Sequence, residues 1–285
     1  MPCHRALQPT LTFRDLMRLH IRHETFYTYE TQLSYSVQRL YLTPQGYAAQ
    51  RIIDWKIEAP GVDGALSYLD GFGNRVHLVT FQNVAGPVSV IAEGLVDVTY
   101  AAGVVKGLSC PAPDAIFLRQ TDATRPSPAM LEMIARINGT EGSKLDLLHR
   151  FMAEIAEAVT YTIGVTDATT TAAEAFAAGQ GVCQDHAHIF LGAVRHLGIP
   201  ARYVTGYLAL EGGESATASH AWAEALLPDL GWVGFDPANR RCPTDHYVRV
   251  AGGIDANGIT PIRGSRKGAN TEKMRVEVNV EIAQQ

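Results

Sequence analysis

The period of the hydrophobic pattern changes once along this chain, and the change divides it. From residue 18 to about 110, apolar side chains alternate with polar ones, as in RLHIRHETFYTYE, the mark of strands with one face in a core. YAAQRIIDWKIEAP reads as a second long strand, SYLDGFGNRVHLVTF as a hairpin turning on Gly71–Asn74, and PVSVIAEGLVDVTYA as a further strand. After Pro111, Pro113, Pro126 and Pro128 the spacing becomes helical. In SKLDLLHRFMAEIAEAV, Leu147, Leu148, Phe151, Ile155 and Val159 form one stripe. TTTAAEAFAAGQG reads as a short helix capped by Thr170 or Thr171, with Glu174 placed for a capping box with Thr171. A second helix runs from about Cys183 to His196 and is stopped by Gly198 and Pro200. ARYVTGYLAL, SHAWAEALL and GWVGFD are strand-like, and EKMRVEVNVEI alternates as a last strand that returns to a sheet. The expected fold is α+β: an antiparallel β domain over 17–110, a linker over 111–128, a mixed core over 129–250, and a loop with a final strand over 251–285.

With 285 residues, 46% of them hydrophobic, the chain is long enough for two domains. A net charge of −5 and the lack of a long Lys/Arg run argue against nucleic-acid binding; the nearest run, Arg263-Gly264-Ser265-Arg266-Lys267, reads as a solvated loop. No apolar stretch reaches the ~20 residues of a membrane helix, so no membrane partner is expected. Residues 1–16 match no period and contain no apolar signal region. They read as a leader, with Met17 heading the first strand pattern. The four cysteines, Cys3, Cys110, Cys183 and Cys242, form no C-x-x-C pair, and the expectation is reduced thiols in a cytoplasmic protein. Oligomeric state is left open.

Chemistry concentrates in GQGVCQDHAHIF, residues 179–190. Cys183 follows Gly179-Gln180-Gly181 and opens a predicted helix. Helix N-termini carry about half an elementary positive charge, so a thiolate is favoured there, and glycines permit a tight turn and a close approach by substrate. A nucleophilic cysteine needs a base, and the base needs an orienter. SHAWAEALLPDLGWVGFDPANR holds both types: His220 opens one strand-like run and Asp236 ends the next, and a turn at Pro228–Gly231 sets the two runs side by side. Two other readings compete. A free cysteine can be a small core residue. Cys183, His186 and His188 could ligate a metal, but 183 and 186 share a helix face while 188 is turned away, and no second closely spaced ligand pair is evident. The chain is therefore read with no metal site and no cofactor. Asp185 reads as a cleft residue, and His186 and His188 as pocket-wall or packing residues. Trp222 shares a strand face with His220, and Tyr203 shares one with Tyr207, which puts all three in reach of a cleft. His23 has no partner at an informative spacing and reads as structural.

GVCQDHAHIF, LGIPARYVTGYL and HAWAEALLPDLGWVGFDPAN together resemble the core of the transglutaminase-like superfamily, which shares a papain-like fold. RLHIRHETFYTYETQLSYSVQRLYLTP resembles the β domain that precedes that core in bacterial transglutaminase-like proteins, often described as cysteine proteases. The resemblance spans residues 17–250. It implies Cys183 as nucleophile, His220 as general base and Asp236 as orienter. The backbone N–H of Cys183 and the side chain of Gln180 are the oxyanion-donor candidates, and Gly181, Asp185, His186, Trp222 and Tyr207 are the pocket candidates. His186 stands where that subgroup carries a bulky aromatic such as Phe. The implied activity is hydrolysis of a peptide or amide substrate through a thioacyl-enzyme. The alternatives are transglutaminase-type acyl transfer to an amine, and a non-catalytic binding module that keeps the fold. Asp255, in GGIDANGITPIRG, lies in a stretch resembling one that follows the core in the bacterial proteins, and is given no chemical role.

Overall fold

Alternation of buried and exposed residues builds the first half of the molecule. A computed structural model describes residues 16–84, 86–210, 219–268 and 271–283; the expectations for the leader and Cys3 fall outside these. The long strands are β1 (Leu16–Tyr29), β2 (Leu33–Thr43), β3 (Gln50–Glu58), β4 (Leu66–Leu69), β5 (Arg75–Val84) and β6 (Val88–Thr99). Along β1 the residues from Leu19 to Tyr27 are buried at every second position. The expected hairpin is β4–β5, and the Asp70 carboxylate holds its turn by accepting the N–H groups of Phe72 and Asn74.

Two strands from the end of the chain complete this region. β15 (Glu272–Ile282) pairs with β1 from Leu19↔Ile282 to Tyr29↔Glu272, as the alternation at the terminus predicts. β14 (Ile262–Lys267) pairs with β2, which corrects the reading of residues 263–267 as a solvated loop. Its side chains are exposed, so its residue pattern is that of a loop while its backbone is that of an edge strand. The two sheets, in order β15-β1-β6-β3 and β14-β2-β5-β4, enclose a core of residues such as Leu33, Leu40, Phe81, Val88 and Val90.

The second half is built around one buried helix. β7 (Val104–Val105) already belongs to it, pairing with β12 (Gly231–Phe235). The proline-rich stretch that follows is a packed strap and not a free linker: Phe117 is buried against Phe72 and Trp232. Next come α1 (Pro128–Asn138), α2 (Lys144–Ala158), β8 (Thr160–Tyr161), α3 (Ala172–Ala178), β9 (Gln180–Gly181) and α4 (Cys183–His196). The α2 stripe is buried at Leu148, Phe151 and Ile155, and Val159 caps the helix inside the same core. α3 carries the capping box of Thr171 and Glu174. α4 packs on the sheet β13-β10-β11-β12-β7, where β10 is Ala201–Leu208, β11 His220–Leu227 and β13 Tyr247–Gly253. Among the described residues no helix is long and apolar enough to cross a membrane.

Two side-chain amides join the halves. Gln50 of β3 donates to Arg249 O and accepts Arg249 N–H, both at 2.8 Å. Asn74 does the same with Gly252, at 2.8 and 2.9 Å. Each amide presents one donor and one acceptor, as a neighbouring strand would, along the edge strand β13.

Candidate active site

The segment before α4 is specified residue by residue. Gly179 ends α3 in the left-handed conformation, φ 65°, which glycine adopts without a Cβ penalty. β9 then runs parallel to β8, with Tyr161 opposite Gly181. A Cβ on residue 181 would lie 2.8 Å from Cβ and from Oδ2 of Asp185, so any larger residue forces Asp185 to shift. That carboxylate is fully buried and accepts the Val182 N–H and the Thr166 hydroxyl, both at 2.7 Å. Asp185 therefore anchors the start of α4 from behind and is not a cleft residue, and Gly181 makes room for Asp185 instead of for a substrate. The outcome is a helix that begins at Cys183, with the cysteine on the wall of a cleft of about 320 Å³.

β11 brings His220 to the same cleft, and β12 delivers Asp236 just past its end. His220 Nε2 lies 2.7 Å from Asp236 Oδ2. The ring shares that cleft with Cys183, near enough for the sulfur to act on the charge of the ring. With Nε2 taken by Asp236, Nδ1 is the nitrogen available to the sulfur. Burial disfavours the imidazolium, but the hydrogen bond to Asp236 and the charges of Asp236 and Cys183 outweigh it and raise the His220 pKa to about 10. Asp236 has no exposed surface. Its burial disfavours the carboxylate, yet donation from His220, Asn239 and Tyr247 holds its pKa below the usual range.

Asn239 and Tyr247 escape a reading of the motifs. Asn239 Nδ2 donates to Asp236 Oδ2 at 2.8 Å, and the Tyr247 hydroxyl donates to it at 2.7 Å. Asn239 stands three residues after Asp236 in DPAN, a spacing at which an aspartate commonly folds its chain back on itself. Tyr247 has no local signal, because β13 carries it in from the far side of the sheet. Its ring meets Trp222 edge-on at 5.5 Å and His220 at 5.8 Å, while Trp222 stacks on His220 at 6.2 Å. Trp222 is thus the floor beneath the imidazole and not a wall of the cleft.

Tyr161, Ile163, Tyr203, Thr205, Ile259 and Pro261 shape the cleft around Cys183, and among the described residues no Asp, Glu, Lys or Arg lines it. Gln180 is exposed and lies outside this lining, so it is not placed as an oxyanion donor. His186 is buried, its ring nitrogens 2.9 Å from the carbonyl oxygens of Val182 and Val159; it ties the start of α4 to the end of α2 and is not a pocket residue. His188 accepts the Ala256 N–H, so the three side chains considered for a metal point to three different partners. Tyr203 reaches the cleft, but Tyr207, farther along β10, is buried between the halves, 3.0 Å from His23 Nδ1 and packed on Trp55. Asp255 accepts the Gly258 N–H and shapes the turn that holds Ile259 at the cleft.

Comparison with known proteins agrees with this architecture. Residues 132–237 match the transglutaminase-like superfamily, and residues 19–97 match the bacterial transglutaminase-like N-terminal region. The chain is 26% identical to the uncharacterized protein ML0607 of Mycobacterium leprae, over 93% of this chain and 99% of that one. It is equally 26% identical to the uncharacterized protein Rv2569c of Mycobacterium tuberculosis, over 93% of this chain and 92% of that one. The crystal structure of a candidate cysteine protease from Cytophaga hutchinsonii superposes with a TM-score of 0.76, covering 95% of this chain and 92% of that one at 21% identity, and shows the same fold. The chain thus joins a bacterial transglutaminase-like N-terminal region, over 19–97, to a core of the transglutaminase-like superfamily, over 132–237.

Proposed function

We propose that this protein is a cysteine-dependent hydrolase of amide or peptide bonds. The observation that carries the reading is His220, hydrogen-bonded to the buried Asp236 and lining one cleft with Cys183 at the start of α4. In this reading the Cys183 sulfur attacks the amide carbonyl, its proton residing on His220. The first-turn N–H of Cys183, which has no acceptor within its own helix, donates to the oxyanion. His220 then protonates the leaving amine, and the C–N bond breaks to leave a thioester on Cys183. Asp236 fixes the imidazole tautomer and stabilises its charged form throughout. Water activated by His220 cleaves the thioester. Apart from Cys183 and His220, the described lining carries no Asp, Glu, Lys or Arg and is rich in Tyr, Ile and Ala, which supports an uncharged acyl segment as the substrate part that enters.

The test is a screen of fluorogenic peptide amides with wild type and Cys183→Ala, with products weighed with and without an added primary amine. Cleavage that depends on Cys183 and yields the free acid supports the hydrolase. An amide formed with the added amine moves the reading to acyl transfer. Absence of any Cys183-dependent product, with no covalent adduct on the protein, supports a binding module that keeps the fold.

A further inference from the structure

The carboxylate that orients His220 carries more donors than orientation requires. Asp236 Oδ2 accepts His220 Nε2–H at 2.7 Å, Asn239 Nδ2–H at 2.8 Å and the Tyr247 hydroxyl at 2.7 Å. Three donors thus converge on one oxygen, which has two lone pairs. Oδ1 meanwhile accepts the Asn239 backbone N–H at 3.3 Å, so the local turn already sets the direction of the carboxylate. Tyr247 is the donor that comes from another part of the sheet. β13 carries it, paired with β10 so that Leu208 stands opposite Tyr247, and the Gln50 amide grips the same strand two residues on, at Arg249. The tyrosine is 2% exposed and its ring stands edge-on to Trp222, so packing holds the ring in place without help from the hydroxyl.

We infer that Tyr247 is a positioning residue that competes with His220 for Oδ2 of Asp236 and so keeps the imidazole able to give up its proton. The inference rests on the acyl-transfer reading above, in which His220 takes the thiol proton at Nδ1 and hands it to the leaving amine as the C–N bond breaks. A buried aspartate with the imidazole as its sole donor stabilises the imidazolium most strongly, and the proton then stays on the ring. Donors that share one acceptor weaken each other, because each draws on the same electron density. The Tyr247 bond is therefore stronger when the imidazole is neutral than when it is charged, and the hydroxyl favours the neutral ring. Tyr247 transfers no proton itself: burial, and next the charge of Asp236, hold its pKa far above the ordinary value. The other titratable groups around the pair are Cys183 from α4, Tyr161 from β8, Tyr203 from β10 and Arg241 just past Asp236. Tyr247→Phe leaves all four in place.

The readout is the protonation midpoint of His220, followed in the full chain by the magnetic-resonance shifts of its ring nitrogens from about pH 5 to about pH 10. Cys183→Ala is the parent, so that the thiol does not titrate together with the ring. Adding Tyr247→Phe should raise the midpoint by about one unit, a tenfold tighter hold on the proton. Asn239→Ala removes an exposed donor from the same oxygen; it should raise the midpoint too, and it carries the test if Tyr247→Phe does not fold. An unchanged midpoint overturns the inference, because packing is then the whole role of Tyr247. A lower midpoint overturns it as well, because the hydroxyl then serves to orient the carboxylate. So does a ring that keeps one charge state across the range in parent and variants alike. Iodoacetamide tests the underlying reading separately. Equal alkylation of Cys183 in wild type and His220→Ala overturns the acyl-transfer reading, and with it the purpose assigned to Tyr247, whatever the midpoints show.

Discussion

One face of β11 carries two buried ionic clusters four residues apart, and of the two it is the His220 cluster that reaches the cleft of Cys183. At the start of the strand His220 meets Asp236; farther on, Glu224 meets Arg202 at 2.5 Å and Arg249 at 3.0 Å. Both carboxylates are essentially unexposed, and in both cases burial works against ionisation and is outweighed by the partners. The cations differ. Guanidinium groups keep their protons, and here they are sealed, with side-chain exposures of 3% and 5%. The imidazole can give its proton away and reaches the cleft, with 11% exposure. Burial and ion pairing alone therefore do not mark chemistry. What distinguishes the His220 cluster is a transferable proton on the same cleft as a cysteine.

The sharpest way to break this contrast is at the imidazole. His220→Ala should remove more than about 10³-fold of any turnover, with Asp236→Asn close behind through loss of the correct tautomer. Iodoacetamide kinetics supply a substrate-free version: His220→Ala should slow alkylation of Cys183 at neutral pH, because no imidazole remains to take the thiol proton. The sealed cluster should respond in stability instead. Glu224→Gln strands two buried guanidiniums, and urea denaturation should show a loss of about 3–5 kcal/mol while the folded fraction keeps its alkylation rate.

Buried histidines away from the site titrate in the opposite sense to His220. Burial lowers His23 and His188 to about 4. The unfolded chain takes up these protons below about pH 6.5 and the folded chain only near pH 4, so stability is lost as pH falls through that window, by up to about 3 kcal/mol for each. Urea midpoints at pH 7 and 4.5 should differ less in His23→Gln than in wild type. The smallest effect is expected at Gly181→Ala, where Asp185 must shift to admit the new methyl group; about 1–3 kcal/mol and a slower alkylation are the outcomes to measure.

How much of this is legible before folding depends on how local its cause is. The start of α4, the capping box on α3 and the stop at Gly198 follow from neighbours in the chain, and the sequence marks them clearly. The three motifs also point to the residues that the structure gathers at the cleft. Tyr161 and Tyr247 are invisible at that level, since strand pairing and sheet order bring them in. Asp185 and His186 show the reverse difficulty. They share a motif with Cys183 yet face into the protein, because a helix start needs internal hydrogen bonds as much as a nucleophile needs a cleft. β14 is hidden for a related reason: backbone pairing leaves no trace in side chains that all face solvent.

The paired amides of Gln50 and Asn74 have a consequence for the open edge of the core sheet. β13 borders its sheet, and a bare border is a template on which any passing extended chain can polymerise. The N-terminal region occupies that border with two single side chains, as a bookend does the end of a shelf. The core cut free of it would expose the backbone groups of β13 to pairing with another extended chain.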